Sequence, residues 1–179
     1  MTKNRDKKAA HLILGGARSG KTAYALSVAE RTDLEKCMIV TAKAEDQEMI
    51  DRIAWHRAER STDWLVVEES VYLCEALQRL ARSDRVVVVD CLTLWLSNLF
   101  SEEKDWGFEA ANLVDCIKSL KGTAIFVSNE IGLGLVPETH LARAFRDAHG
   151  RLNQILAETC QAVTLVAAGL PVVLKKSAN

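Results

Sequence analysis

The chain has 179 residues, 49% of them apolar, enough for one well-buried core and short for two. Charged residues make up 26% and the formal net charge is −1, so the overall charge does not favour nucleic acid or an anionic membrane, and a small-molecule partner is expected. The five cysteines, Cys37, Cys74, Cys91, Cys116 and Cys160, are odd in number and lack C-x-x-C spacing. That argues against a disulfide framework or a structural zinc and for a reducing, cytoplasmic setting.

Residues 1–10 are polar and basic, read as a loose tail, and lack the apolar core of a signal peptide. Residues 11–179 then read as a single domain in which short apolar runs alternate with stretches of helical period. Strands are predicted at 11–14, 37–41, 65–67, 86–89, 123–127 and 163–167, with a weaker edge strand at 172–174 after Pro171. Helices are predicted at 22–31, 46–60, 71–82, 92–100, 107–120 and 138–160, the last with Gly150 inside it as a point of kinking or division. The apolar run 162–174 is broken by Gly169 and Pro171 and is too short to span a bilayer. The expected fold class is α/β and, with the Gly-x-x-x-x-Gly-Lys-Thr run at 15–22 between the first strand and helix, a P-loop NTPase-type, RecA-like three-layer sandwich around a mostly parallel sheet.

Gly15-Gly16-Ala17-Arg18-Ser19-Gly20-Lys21-Thr22 fits G-x-x-x-x-G-K-[ST] between a predicted strand and a predicted helix. Such a loop cradles a triphosphate on backbone N–H groups at a helix N-terminus, where side chains at the glycines would obstruct the approach. Lys21 is then the point charge on the β/γ-phosphates, and the Thr22 hydroxyl a ligand of Mg²⁺. Val86-Val87-Val88-Val89-Asp90 has the form of a buried strand ending in a Walker-B carboxylate, which places Asp90 near Mg²⁺. An Asp at that place can equally cap the next helix, and the two roles are compatible.

His56 falls on one face of the predicted 46–60 helix with Met49 and Ile53. Most histidines so placed are packing residues, but a neutral imidazole can also attack phosphorus to form a phosphoramidate. His11, His140 and His149 carry no comparable argument. Glu68, Glu69 and Glu130 each end a predicted strand, where charged groups are usually just solvated. The loop 130–137, with Gly132 and Gly134, follows a strand and is well placed to help form a site. No Asn-Lys-x-Asp stretch is present, so guanine recognition of the regulatory GTPase type is not supported.

Four segments together resemble the bifunctional adenosylcobinamide kinase and adenosylcobinamide-phosphate guanylyltransferase family of cobalamin biosynthesis. They are the phosphate loop, Arg52-Ile53-Ala54-Trp55-His56-Arg57 leading to Trp64, Asp90-Cys91-Leu92-Thr93, and Ser128-Asn129-Glu130-Ile131-Gly132-Leu133-Gly134-Leu135-Val136-Pro137. The resemblance continues into residues 146–154, and the family's frequent proline after the arginine of the His56 segment is Ser61 here. It implies phosphorylation of adenosylcobinamide by ATP or GTP, then transfer of GMP from GTP to adenosylcobinamide phosphate through a GMP–histidine on His56. By the same resemblance, nucleotide contacts fall on the phosphate loop, on Val40, Thr41 and Ala42, on His56, Arg57, Ala58 and Glu59, on Glu68 and on Asp90, and the chain forms a homo-oligomer. A kinase that does not use His56, and a nucleotide-driven switch or assembly ATPase, remain as alternative readings.

Overall fold

A computed structural model describes residues 9–43 and 64–176. Seven strands form one sheet: β1 (Ala9–Gly15), β2 (Glu35–Val40), β3 (Trp64–Glu68), β4 (Arg85–Asp90), β5 (Thr123–Asn129), β6 (Ala162–Ala167) and β7 (Leu170–Lys175), ordered β3-β2-β4-β5-β1-β6-β7. All neighbours pair in parallel except β6 and β7. The described helices are α1 (Lys21–Glu30), α2 (Leu73–Leu80), α3 (Leu92–Ser101), α4 (Trp106–Ser119) and α5 (His140–Thr159).

Strand alternation separates two cores, because successive side chains leave opposite faces of a sheet. Ile13, Met38, Val86, Val88, Ile125 and Val127 meet Ala25 and Ala29 of α1 on one face. Leu12, Leu14, Cys37, Ile39, Val87, Val89, Ala124 and Phe126 meet α2, α3, α4 and α5 on the other. This is the expected three-layer sandwich. The valine run of β4 is buried throughout because both faces of that central strand are covered.

Two helices start where a side chain satisfies leading N–H groups. Asp105 accepts from the N–H of Gly107 and Phe108 at the head of α4, and Thr139 accepts from Ala142 at the head of α5. Gly150 does not divide α5, which runs unbroken for 20 residues. The helix tolerates the loss of intrinsic propensity, about 1 kcal/mol for glycine, because Ala148, His149, Leu152, Asn153 and Leu156 pin its inner face. β1 also begins at Ala9, inside the stretch read as tail, and Ala10 is buried.

β7 confirms the weak edge strand and lengthens it. Pro171 fits there because an edge position needs no N–H on its open side. Ala167 pairs with Leu170, leaving Ala168 (φ 50°) and Gly169 (φ 79°) as a two-residue turn with both residues left-handed. The segment 46–60, expected to be helical, lies outside the described residues.

Gly122 enters β5 at φ 106°, where a Cβ would stand 2.0 Å from the Arg82 carbonyl oxygen. Gly122→Ala therefore meets both backbone strain and a backbone clash. It should lower stability by roughly 2 kcal/mol, seen as a drop in Tm of about 4–8 °C on thermal unfolding; an unchanged Tm would contradict this packing.

Candidate nucleotide-binding site

Because β1 to β6 run parallel, their carboxyl ends share one rim, and ligands of such sheets sit there. Gly15 pairs with Asn129 on one side and Val166 on the other. Asp90 pairs with Val40 and Val127, and Val40 with Glu68. β5 separates the loop-bearing β1 from the carboxylate-bearing β4. Glu68 on the edge strand is four strands from β1, about 19 Å at the usual spacing of about 4.8 Å.

The phosphate loop is held from several sides. The Ser19 N–H donates to Gly16 O at 3.2 Å, Gly169 N–H to Ser19 O at 2.9 Å, and Glu130 N–H to Gly15 O at 2.9 Å. A Cβ on Gly15 would lie 2.4 Å from Ser19 Oγ and 2.6 Å from Val166 O, so only glycine fits. Gly20 closes the loop at φ 91°, and Arg18 is also left-handed at φ 55°. Gly16 differs: a Cβ there would meet nothing within 4 Å. Its smallness leaves room at the mouth of the loop, the space a phosphate needs.

The head of α1 is built for an anion. Its N-cap is Gly20, with no side-chain cap and no acidic residue in the first turn, so the leading N–H groups keep their positive end for a ligand. Lys21 Nζ lies over the loop and donates to Gly16 O at 3.1 Å. Ser19 Oγ is buried without a hydrogen-bond partner among the described residues. Ala17 and Arg18 are exposed, and Thr22 is half-buried at the start of α1.

Asp90, half-buried, ends β4. The neighbouring Cys91 thiol is pushed up to about 11, chiefly by burial and then by the Asp90 carboxylate, while Lys21 pulls it down. Asp90 at the end of β4 and Lys21 at the head of α1, which follows β1, thus lie at the same carboxyl-end rim, two strands apart. Thr41 is fully buried: its hydroxyl donates to Cys91 O at 2.7 Å and accepts from Cys91 N–H at 2.9 Å. That side chain ties β2 to β4. Val40 is buried, Ala42 half-buried and Glu68 exposed. His56, Arg57, Ala58 and Glu59 lie outside the described residues.

A buried polar cluster behind the rim has no counterpart in the sequence reading. Thr93 Oγ1 accepts from Asn129 N–H at 2.9 Å and lies 2.9 Å from His149 Nε2. Ser128 Oγ donates to Asn153 Oδ1 at 2.7 Å, and Asn153 Nδ2 donates to Asn129 O at 3.0 Å. Asn153 Nδ2 also lies 3.4 Å from His149 Nδ1. The donors and acceptors around the ring fit a neutral imidazole whose Nε2–H donates to Thr93 Oγ1 and whose Nδ1 accepts from Asn153 Nδ2. A second ring proton would face the amide donor. Burial likewise lowers the His149 pKa, against a smaller upward pull from Glu130. The cluster joins α3, β5 and α5 and fixes the backbone of Asn129, one residue before the loop that follows β5.

Residues 11–174 match the family described as cobinamide kinase / cobinamide phosphate guanyltransferase. A bifunctional adenosylcobalamin biosynthesis protein, CobP, of Pseudomonas aeruginosa is 46% identical over 166 residues, covering 92% of this chain and 96% of the relative. The chain belongs to this family. Its CobU member from Escherichia coli K12 is 34% identical, over 92% of this chain and 98% of its own. Among solved structures, an ATPase from the type III secretion system of pathogenic bacteria has a TM-score of 0.56 at 8% identity, over 93% of this chain and 57% of that one. That likeness shows the P-loop fold alone. As a family member the chain is an enzyme that uses nucleoside triphosphates, and three of the four segments that carry the resemblance lie on the rim just described.

Two outcomes check this geometry. Gly15→Ala should abolish measurable GTP binding by calorimetry while leaving the circular dichroism spectrum of the sheet in place; retained affinity would refute the close packing at Gly15. His11 and His149 both have pKa values lowered from 6.5 by burial. Their contribution to stability is thus whole above pH 6.5 and is lost as pH falls below it toward the folded values. Tm should fall on acidification through that window and fall less steeply in His11→Gln/His149→Gln; equal slopes would show that these rings are not the cause.

Proposed function

We propose that the enzyme first phosphorylates the aminopropanol hydroxyl of adenosylcobinamide with ATP or GTP. It then transfers GMP from GTP to adenosylcobinamide phosphate, giving adenosylcobinamide-GDP. The observation that carries this reading is the open phosphate loop at the head of α1, with Asp90 two strands away on the same rim, in a chain of this family.

In the phosphoryl step the loop N–H groups and Lys21 hold the β- and γ-phosphates, and Asp90 lies where it can orient the accepting hydroxyl. In the nucleotidyl step an imidazole nitrogen of His56 attacks the α-phosphorus of GTP, the α–β bridge breaks, and pyrophosphate leaves. An oxygen of adenosylcobinamide phosphate next attacks the phosphoramidate, the P–N bond breaks, and His56 is released. Lys21 and the loop amides stabilise the charge on the departing group. Val40, Thr41, Ala42, Arg57, Ala58, Glu59 and Glu68 complete the nucleotide contacts in this reading. Thr41 would contribute by holding Val40 and Ala42 in place, since its hydroxyl is committed to Cys91, its N–H to Asp90 O and its carbonyl to Asn98 Nδ2.

Thr22 and Asp90 would hold Mg²⁺. A hydroxyl and a carboxylate suit a hard cation that takes its other ligands from phosphates and water, and among the described residues no group of three or more His, Cys, Asp or Glu forms a metal cluster. When bound, Mg²⁺ neutralises charge on the phosphates undergoing transfer. No described helix is long and apolar enough to cross a membrane, in keeping with a cytoplasmic biosynthetic role.

The test is product analysis with cobinamide, GTP and Mg²⁺, paired with α-labelled GTP. Phosphorylated and GDP-linked corrinoids should both form, and acid-labile label should remain on the denatured protein. His56→Ala should lose the label and the second product while keeping the first. Label that survives in His56→Ala would remove His56 as nucleophile, and absence of both products would defeat the assignment.

A further inference from the structure

The segment from Glu130 to Thr139, between β5 and α5, together with Leu141 in the first turn of α5, presents apolar side chains in the opposite sense to an ordinary solvated loop. Leu133 is 87% exposed, Leu135 96%, Val136 65% and Leu141 67%. The backbone polar groups are meanwhile tied inward. Arg143 Nη1 donates to Pro137 O at 3.0 Å and to Glu138 O at 2.6 Å, and Arg146 Nη1 donates to Leu135 O at 3.3 Å. Gly132 N–H donates to the Glu130 carboxylate at 2.5 Å. Guanidinium groups of α5 thus fix the loop from within while leucine and valine face outward, a preformed apolar surface of the kind that marks an interaction site.

Two observations say what it meets. The loop leaves the sheet at Glu130, whose N–H is bonded to Gly15 O, so its root is continuous with the phosphate loop. Beside it lies a groove lined by Gly132, Arg146, Asp147, Gly150, Arg151 and Gln154, where guanidinium and amide groups can meet carbonyl and phosphate oxygens. We infer that residues 130–141 form the acceptor platform, binding a corrinoid with its apolar macrocycle on Leu133, Leu135 and Val136 and its peripheral amides toward the Arg146–Gln154 groove. The side chain that carries the reacting hydroxyl or phosphate then reaches across the root of the loop to the bound nucleotide. This assignment rests on the cobinamide reading above.

Leu133→Ser/Leu135→Ser in the full chain tests it, since both positions are solvent-facing and their loss leaves no cavity. The expected result is a rise of about tenfold or more in KM for cobinamide, with GTP affinity, self-labelling by α-labelled GTP and sedimentation behaviour unchanged. Leu133→Met/Leu135→Met, which keeps the apolar surface, should restore the wild-type KM. An unchanged corrinoid KM overturns the platform. A shift to smaller species on sedimentation also overturns it, assigning the surface to contacts between copies of the chain. Wild-type enzyme inert toward cobinamide overturns the functional reading itself and is seen before any variant is compared.

Discussion

The rest of the site depends on the absence of a side chain at Gly15. β1 lies between β5 and β6, and its last residue is pressed against Ser19 Oγ and the Val166 carbonyl at distances that admit no Cβ. That contact lets the chain double back on itself. The loop then presents Gly16 to open space and delivers the first turn of α1 with its N–H groups uncapped. Flanking strands hold the result through backbone bonds, Glu130 to Gly15 and Gly169 to Ser19. A backbone cradle carries its dipoles without side-chain entropy, so once folded it is already in the conformation the phosphates require.

The sheet order supplies the second constraint. With β5 between β1 and β4, Asn129 and Glu130 stand between the phosphate loop and Asp90. The loop that follows β5 therefore leaves from the middle of the site. Its anchor is the set of half-buried Thr93 and buried Ser128, His149 and Asn153, hydrogen-bonded to one another and to the backbone of Asn129. Helices α3 and α5 are bound to β5 through these side chains, so a shift of either would be felt at Asn129.

Much of this was legible in the sequence because it is local. Runs such as residues 86–89 and 123–127 declare buried strands by composition alone, and G-x-x-x-x-G-K-T declares a strand-to-helix turn that binds phosphate. The three-layer order follows from alternation along those strands. What was not legible is assembled from distant segments. Thr93, Ser128, His149 and Asn153 belong to three elements, and the only local trace is the i, i+4 spacing of His149 and Asn153 on α5, which any helix shows by chance. Gly150 misleads for the same reason: propensity disfavours it mid-helix, but tertiary packing of Leu152 and Leu156 decides. The role of Thr41 also escaped, since a threonine at a strand end looks the same whether it faces a ligand or, as here, bridges to Cys91.

Distance along the rim divides the labour of the proposed two-step chemistry. Glu68 stands about 19 Å from β1 at the spacing of adjacent strands, so no single phosphate can contact both. A nucleotide held by the phosphate loop must extend along the strand ends, past Asp90 and Val40, to reach Glu68. Adjacent strand ends thus offer contacts at successive distances from the phosphates, with the β5 and β6 ends one strand from β1 and the β4 end two. An acceptor approaching from the β5 loop meets the phosphate end of such a nucleotide without crossing its base. One rim can then serve phosphoryl and nucleotidyl transfer if the nucleotide shifts which phosphorus it presents, with the acceptor's side of the site unchanged.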